Sequence, residues 1–523
     1  MAVRDAFTGG KRRPGPRAER SGAARAGRLR LPEEIDRSGL LVGWSLEHVH
    51  RRQPAGFSFG GRERGPDTGY ADPILMAGEG HLMTIAPTGS GKGVGCVVPT
   101  LLRHPGPVIV IDPKGENVAI TARRRREMGH RVIVLDPLEV TGQTPDSLNP
   151  LDLVDPLNPL GVDDAAALAA ALLPQTGSDR DAFWISRGRE LLLGLICHVL
   201  VDLPPERRSL ATVREVLHEG AANTGGMAAR LGTSRHPEAR RTAGMLNIAA
   251  DSTVGGYVAL AQEGIDVMRG PLVQRHTARS TFALGDVTRG EPLSIFIVVP
   301  PHMLEPLGSL LRLWVGVLMT AIMRRRARPA LSTLLVLDEA AQLGPLAQLR
   351  QAITLLRGYG LQTWSFWQDP SQLKRLYPAD WPTMINNCRA VQCFGANTML
   401  AAREMAALVG YHDPDRVLDL ERDEMLLQIA GDEAVIAKVP NYRSDPAFDG
   451  LHDDNPYYDA ALDPMPLERK PLEGYLRPKA KPRLRRPTFD SGPGRASPPD
   501  RAANADLLRR LKAEMEADRD AGP

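Results

Sequence analysis

Cysteine is scarce in this sequence, with four thiols among 523 residues. Cys96, Cys197, Cys388 and Cys393 are too few and too scattered to stabilise a fold of this size through disulfide bonds. Cys388 and Cys393 also have no histidine or cysteine partner at the spacing of a zinc site. We therefore expect buried thiols in a protein of the reducing cytoplasm.

Long hydrophobic runs are missing as well, because no segment reaches the ~18–20 apolar residues that cross a bilayer. The two best candidates, residues 191–203 and 310–323, are interrupted by His198, Asp202 and Arg312. Each is predicted to be a buried helix. The arginine-rich N-terminus has no apolar segment after it, so it does not read as a secretory signal.

Excess charge of one sign is absent too. The formal net charge is +3, with 42% hydrophobic and 24% charged residues, which is typical of a soluble folded protein. Basic residues nevertheless cluster near both ends: nine lie in the first thirty residues, against two acids, and six lie in residues 477–486. Two interpretations stay open for these clusters, namely phosphate binding and solvated flexible tails.

Composition and periodicity divide the chain into five parts. A basic flexible arm at 1–38 precedes the first part of an α/β domain at 39–160. An all-helical insertion at 161–289 follows, rich in Ala, Leu, Arg and Glu. The second part of the α/β domain is predicted at 290–442, and a tail rich in proline and charge at 443–523.

Short apolar runs bounded by turn residues mark the strands of the α/β domain. The first three are continuously apolar, which indicates a sheet covered on both faces and therefore parallel. No element is predicted in the glycine-rich stretch before residue 78. The predicted strands are residues 82–86, 108–111, 132–135, 293–299, 333–337, 362–367, 391–394, 426–429 and 435–439.

The run APTGSGKG follows the first predicted strand and is typical of a phosphate-binding P-loop. Glycines let backbone N–H groups turn toward phosphate oxygens, and Lys92 would neutralise the β and γ phosphates of ATP. Ala86 replaces the usual first glycine, and Gly93 replaces the hydroxyl residue that ligates Mg²⁺. A plain glycine-rich turn is the alternative. The predicted nucleotide-binding residues are Thr88, Gly89, Ser90, Gly91, Lys92, Gly93 and Val94.

A second apolar strand ends in two adjacent acids, Asp338 and Glu339. Phosphoryl transfer needs a carboxylate for the metal and a group that positions water. Asp338 is therefore predicted to hold Mg²⁺, and Glu339 to orient or deprotonate the attacking water. The alternative is a strand followed by a helix start that merely favours acids.

The next strand ends at Gln368, which is placed to sense the γ-phosphate. Hydrolysis in ring ATPases commonly also needs an arginine from the neighbouring subunit. Arg357 and Arg389 each precede a core strand and are candidates for that role. For either one alone, a surface arginine without a catalytic role is the alternative.

Five runs, in this order, resemble the type IV secretion coupling proteins, which are conjugative DNA-transfer ATPases: APTGSGKGVGCVVPTLL, VIVIDPKGEN, LLVLDEAAQLG, GYGLQTWSFWQD and NNCRAVQCFGAN. The resemblance covers about residues 75–440. It also accounts for Gly93, because the P-loop of that family often reads GKG.

This resemblance implies an α/β fold in which a RecA-like P-loop ATPase domain carries an inserted all-α domain. It implies ATP and Mg²⁺ as cofactors and a homo-hexamer around a DNA channel, and it places Asp112, Lys114 and Glu116 near the nucleotide. The function it implies is an ATP-hydrolysing coupling protein. Such a protein recruits single-stranded, relaxase-bound DNA, or a protein effector, and drives it into a type IV secretion apparatus.

The family usually carries N-terminal membrane helices, and this sequence shows none. The expectation is a membrane link through a partner only, with the protein cytoplasmic or peripheral at the inner membrane. Two alternatives stay open: a soluble DNA translocase of the same superfamily, and a docking adaptor that binds nucleotide without turnover. The missing hydroxyl at Gly93 supports the adaptor, whereas the Asp338 and Glu339 pair weighs against it.

Overall fold

Apolar strands assemble into one mixed sheet that organises the described chain. The structure is a computed structural model and describes residues 39–45, 73–76, 78–174 and 179–458. The predicted basic arm, the basic cluster at 477–486 and most of the predicted tail lie outside the described residues. The strands are β1 Leu40–Ser45, β2 Pro73–Met76, β3 His81–Ile85, β4 Val108–Ile111, β5 Arg131–Leu135, β6 Leu293–Ile297, β7 Thr333–Leu337, β8 Leu361–Trp367, β9 Cys388–Phe394, β10 Glu424–Ile429 and β11 Val435–Lys438.

The strand order across the sheet is β2-β1-β11-β10-β9-β3-β8-β7-β4-β6-β5. From β9 to β5 neighbouring strands run parallel, as continuous apolar character predicted. From β9 to β2 the neighbours run antiparallel. The prediction of a parallel sheet is therefore wrong for the part of the sheet from β9 to β2. Burial on both faces does not distinguish the two arrangements, since β10 is nearly as buried as β4.

Strands β1 and β2 were not predicted. The β2 strand has only four residues and begins with Pro73, which lacks the N–H that a central strand would donate. It lies at the edge of the sheet, where that loss is tolerated. A run this short within a glycine-rich stretch carries too little periodicity to be recognised.

The helices cover both faces of the sheet and form the insertion between β5 and β6. Between residues 161 and 289 the described chain is helical and contains no strand. The helices are α1 Val98–Arg103, α2 Glu116–Glu127, α3 Gly161–Leu172, α4 Asp179–Asp202, α5 Leu210–Ala222, α6 Thr224–Gly232, α7 Pro237–Ile248, α8 Asp251–Ile265, α9 Pro271–Thr277, α10 Leu284–Arg289, α11 Gly308–Met323, α12 Ala347–Leu355, α13 Pro370–Leu376, α14 Trp381–Asn386, α15 Met399–Val409 and α16 Pro414–Leu418.

Side chains alternate between the two faces of each strand, and each face has its own core. On β4, Ile109 and Ile111 belong to a core that continues through α11 into the insertion. Val108 and Val110 belong to the opposite core, with residues of α1 and α2. Helix α11 is almost wholly buried, as predicted for residues 310–323. The inserted helices are therefore packed continuously onto one face of the sheet.

Residues 441–458, here called the C-terminal strap, pack on the outside of α1, α2 and β1. Phe448 is fully buried among them, and Trp44 Nε1 donates a hydrogen bond of 2.9 Å to Asp445 Oδ2. Arg123 Nε lies 2.7 Å from Asp453 Oδ1. Residues 443–458, which the sequence assigned to the tail, thus pack against the folded unit in the structure. The strap is irregular, so its aromatic anchors show no helical or strand period.

Replacing Phe448 with alanine tests whether the strap is part of the folded unit. The loss of a fully buried aromatic side chain should lower the free energy of unfolding by ~3–5 kcal/mol. Tyr457, 58% exposed in the same strap, provides the matched control, and Tyr457→Ala should change it little. Urea denaturation followed by far-ultraviolet circular dichroism measures both. Equal midpoints for the two variants would contradict the packing described here.

Candidate active site

The loop after β3 has the backbone of a phosphate-binding turn. Gly89 and Gly91 have φ values of +79° and +89°, in the left-handed region that side chains rarely adopt. A Cβ built at either glycine meets nothing within 4 Å, so conformation rather than crowding requires glycine there. A π-helical turn at Gly93–Val97 leads from the loop directly into α1. The N–H groups at the start of this helix face the loop and favour an anion.

The base of the loop is held firmly by the antiparallel end of the sheet. A Cβ on Gly95 would lie 2.2 Å from Val439 Cγ1, so only glycine permits this close approach. Below it, Gln392 Oε1 accepts hydrogen bonds from Thr84 Oγ1 at 2.6 Å and from Cys96 Sγ at 3.4 Å. These contacts fix the direction in which the first helical turn leaves β3.

Lys92 reaches from the loop to the acid pair at the end of β7. Its Nζ lies 3.1 Å from Asp338 Oδ1 and is also paired with Glu339 Oε1. Gln368, at the end of β8, donates a hydrogen bond of 3.1 Å from Nε2 to Glu339 Oε2. Strand β8 lies between β3 and β7, so the carboxyl ends of three adjacent parallel strands bring these side chains together. The four residues that the sequence assigned to one site thus lie together in the structure. They are Lys92, Asp338, Glu339 and Gln368.

Glu339 adopts a backbone conformation that is costly for its residue type. Its φ of +66° lies in the left-handed region, where a non-glycine residue loses about 1 kcal/mol. It caps the short 3₁₀ helix Ala340–Leu343, and the turn directs its carboxylate back to Lys92. Such strain persists where neighbouring contacts hold it, which is common at active sites.

Partial burial and mutual contact together set the pKa values of Lys92 and Asp338. Burial alone would lower the pKa of Lys92, but the carboxylates of Asp338 and Glu339 outweigh it and raise the pKa. Burial raises the pKa of Asp338, and the ammonium of Lys92 partly offsets this. The ammonium of Lys92 is therefore held firmly in its charged form.

The oxygen atoms of this edge fit a nucleotide with Mg²⁺. Ser90 Oγ is buried without a hydrogen bond among the described residues, and Asp338 Oδ1 is buried with the ammonium of Lys92 as its close partner. Carboxylate and hydroxyl oxygens are the ligands that Mg²⁺ and its bound phosphates use. Within the described chain, no cluster of three or more histidine, cysteine or acidic side chains forms a metal site made of protein alone.

The three candidate residues that follow β4 lie in three different environments. Asp112 is fully buried and accepts hydrogen bonds from Val118 N at 2.9 Å and Asn117 Nδ2 at 3.2 Å, so it fixes the start of α2. Burial raises the pKa of Asp112 to about 7. Lys114 is exposed. Glu116, the first residue of α2, is half-buried beside the P-loop.

The structure describes the side chain of only one of the two candidate arginines. Arg389, at the start of β9, packs against Gly80, next to the start of β3. Strands β9 and β3 run parallel, and Arg389 is near the start of β9. It therefore lies at the amino-terminal ends of these strands, opposite the P-loop. Arg357 lies in the 3₁₀ helix Leu356–Tyr359, and its side chain is outside the described part of the structure.

One contact of this site was missed from the sequence. Asn455 of the C-terminal strap donates a hydrogen bond of 3.3 Å from Nδ2 to Glu116 Oε2. The strap carries no periodic signal, and 339 positions separate the two residues along the chain. Only the packing of the strap brings them together.

Comparison with known families agrees with this geometry. Residues 44–413 match the family model described as "Type IV secretory system Conjugative DNA transfer". The chain belongs to this family. The resemblance drawn from its five motifs is thereby confirmed, as is a mixed α/β fold of the RecA-like P-loop type with an all-α domain.

The relatives match different shares of this chain. The conjugal transfer protein TraG of Escherichia coli is 26% identical over 72% of this chain and 69% of its own length. VirD4 of Rhizobium rhizogenes is 30% identical over 53% of this chain and 41% of its own. The chain thus spans between two fifths and seven tenths of the length of these relatives. The plasmid coupling protein TrwB, solved with ADP and Mg²⁺, is 19% identical with a TM-score of 0.55, covering 69% of this chain and 85% of that one, and shows the shared fold.

The two longest helices of the described chain are α4 and α11. Among the described residues, no helix combines the length and the apolar character that crossing a membrane requires.

Asp112→Asn tests whether that carboxyl is a structural group. The folded pKa of about 7 is raised above the ordinary ~3.9 of aspartate, so the stability it contributes is complete below pH ~4 and is lost as pH rises through 7. Asparagine does not titrate. The free energy of unfolding of the variant, relative to the unsubstituted protein, should therefore increase with pH between ~4 and ~7, by up to ~1.4 kcal/mol per pH unit.

Urea denaturation midpoints across that pH range provide the measurement. Asp449→Asn, at an exposed position of the strap, controls for the loss of one carboxylate. A stability difference that stays constant with pH would contradict the structural assignment of Asp112.

Proposed function

We propose that this family member is an ATP-hydrolysing coupling protein. It recruits DNA, or a protein–DNA complex such as single-stranded DNA bound to a relaxase, and drives it into a type IV secretion apparatus. The observation that carries this proposal is the junction of Lys92 with Asp338 and Glu339, completed by Gln368. A phosphate-binding lysine, a metal-binding carboxylate, a water-positioning carboxylate and a phosphate sensor then share one edge of the sheet.

The contacts of Lys92 suggest how ATP prepares the site. In the structure Lys92 pairs with Glu339, so the carboxylate that would orient water is engaged by the lysine that would bind phosphate. ATP phosphates in the P-loop compete for the ammonium of Lys92. Its transfer to the phosphates releases Glu339 to accept a proton from the attacking water, with Gln368 retaining the other carboxylate oxygen. Mg²⁺, held by Asp338, would neutralise the charge that develops on the phosphates.

The proposal includes a homo-hexamer with an arginine supplied between subunits. The described hydrogen bonds and ion pairs of Lys92, Asp338, Glu339 and Gln368 involve no arginine. Thr88 and Gly89 are exposed, which leaves one side of the loop accessible to a neighbouring subunit. Arg357, which directly precedes the core strand β8, is the proposed donor.

The names of relatives support the substrate and the partner. TraG is called a conjugal transfer protein. VirD4 of Bartonella quintana, 27% identical over 57% of this chain and 48% of its own length, is called a type IV secretion system-coupling protein. DNA and secretion components are therefore the proposed partners. Contact with the inner membrane is proposed to occur through one of those components.

ATP turnover by matched variants tests the catalytic assignment. Glu339→Gln should lower kcat by ~10²–10⁴-fold and keep ATP binding, because it removes the base and leaves the P-loop intact. Lys92→Ala should lose both ATP binding and turnover. Glu127→Gln, at the far end of α2, serves as a surface control and should behave as the unsubstituted protein. Hydrolysis that survives Glu339→Gln would contradict the catalytic assignment of Glu339. Hydrolysis that is absent from confirmed hexamers under every condition would contradict the motor and favour an adaptor.

The same assay with DNA tests the substrate. Single-stranded DNA should raise turnover more than duplex DNA, and the stimulation should decline between ~50 and ~200 mM salt, because phosphate contacts release counterions. Turnover that is indifferent to both forms of DNA would contradict a DNA motor. Membrane fractionation of cells with and without the secretion genes then separates a coupling protein from a free translocase. Only the coupling protein should require those genes to reach the membrane fraction.

A further inference from the structure

The P-loop of this chain lacks one metal ligand that the general pattern supplies. Gly93 follows Lys92 at the position where a serine or threonine hydroxyl ordinarily ligates the Mg²⁺ of the bound nucleotide. Mg²⁺ demands near-octahedral coordination by oxygen atoms, so another oxygen has to complete the shell. A coordinated water and a nearby protein oxygen are the available sources.

Glu116 places a carboxylate oxygen beside this position. A Cβ built on Gly93 lies 4.0 Å from Glu116 Oε1, and apart from its chain neighbours and the backbone of its own helix no other heavy atom of the described residues is within that distance. A hydroxyl on that carbon, turned toward Oε1, would come within ~2.7 Å of it, the length of an O–H···O contact. Glu116 Oε1 thus lies within reach of the position that the missing hydroxyl would occupy.

The surroundings of Glu116 hold its carboxylate in this direction. Gly115, with a φ of +70°, makes the turn into α2, and a Cβ there would lie 2.6 Å from Thr141 Cγ2. Asp112 fixes the first turn of α2 through Val118 N. Asn455 donates to Oε2, which leaves Oε1 as the oxygen facing Gly93. Contacts with three separate parts of the chain therefore set the position of the Glu116 carboxylate.

The charge of Glu116 also acts on the metal-binding carboxylate. Glu116 and Glu339 each place a negative charge near the carboxylate of Asp338. Carboxylates that disfavour each other's ionisation are stabilised when a cation lies between them. Lys92 supplies one positive charge at this edge, between Asp338 and Glu339. A divalent cation between Asp338 and Glu116 would supply the remaining positive charge.

We propose that Glu116 supplies the oxygen that replaces the missing P-loop hydroxyl at the nucleotide-bound Mg²⁺, directly or through one coordinated water. This inference rests on the nucleotide-binding function proposed above. Asn455 is a positioning residue, because it orients Glu116 and does not reach the metal site itself. The C-terminal strap thereby becomes part of the nucleotide site.

The chain offers a rescue variant for the test. Gly93 does not have a positive φ, and the space around its added Cβ is open to 4.0 Å, so Gly93→Ser should fold without strain. It restores the hydroxyl of the general P-loop pattern without adding charge. Glu116→Gln keeps the shape and the hydrogen-bonding capacity of the side chain and removes the anionic ligand.

The measurement is the dissociation constant of fluorescent ADP, titrated in the full chain with and without Mg²⁺. Glu116→Gln should reduce the gain in affinity that Mg²⁺ produces by about tenfold or more, the usual effect of disturbing a metal site. Binding in excess chelator should stay the same or tighten, since a negative charge near the phosphates is removed. The double variant Glu116→Gln with Gly93→Ser should recover most of the Mg²⁺ gain. Glu127→Gln controls for the loss of a carboxylate from α2.

Three results would overturn the proposal. The first is an unchanged Mg²⁺ gain in Glu116→Gln. The second is an equal loss of ADP affinity with and without Mg²⁺, which would indicate a structural role for Glu116. The third is a double variant no better than Glu116→Gln while Gly93→Ser alone binds normally. Absence of ADP binding by the unsubstituted protein would instead overturn the nucleotide-binding function itself, and this inference with it.

Discussion

The pairing of Lys92 with the acids that end β7 is the interaction on which the rest of the site depends. It joins two segments that lie 246 and 247 positions apart in the chain, and it exists because β8 lies between β3 and β7 in a parallel order. Removing one partner of a partly buried ion pair leaves the other charge without compensation, at a cost of several kcal/mol. In the proposed mechanism, phosphate replaces the carboxylates as the partner of Lys92 before hydrolysis begins.

The remaining fold keeps those strand ends in register. The inserted helices share a continuous core with one face of the sheet, so an interruption of the ATPase domain adds to its packing. The opposite face is covered by α1 and α2, and the C-terminal strap locks these helices to β1 through Phe448 and the bond between Trp44 and Asp445. Through Asn455 the strap also reaches Glu116. The proposed nucleotide site and the C-terminal strap are thus joined by a hydrogen bond.

Sequence reasoning succeeded where a single local pattern carried the information. Apolar runs followed by glycines, acids or glutamine placed Lys92, Asp338 and Gln368 at strand ends, and parallel order then required them to meet. It failed where position depends on long-range packing. The edge strand β2 and the strap lack periodicity, and the inward orientation of Asp112 depends on the start of α2. The location of Arg389 at the opposite edge follows from the direction of β9, which no local signal reveals.

The most direct test of this account is a structure of the protein with a non-hydrolysable ATP analogue and Mg²⁺. The account predicts that Lys92 Nζ leaves Glu339 and contacts the β and γ phosphates, while Glu339 faces the γ-phosphate and keeps its hydrogen bond with Gln368. A structure in which the phosphates occupy the P-loop and Lys92 stays paired with Glu339 would contradict the central claim.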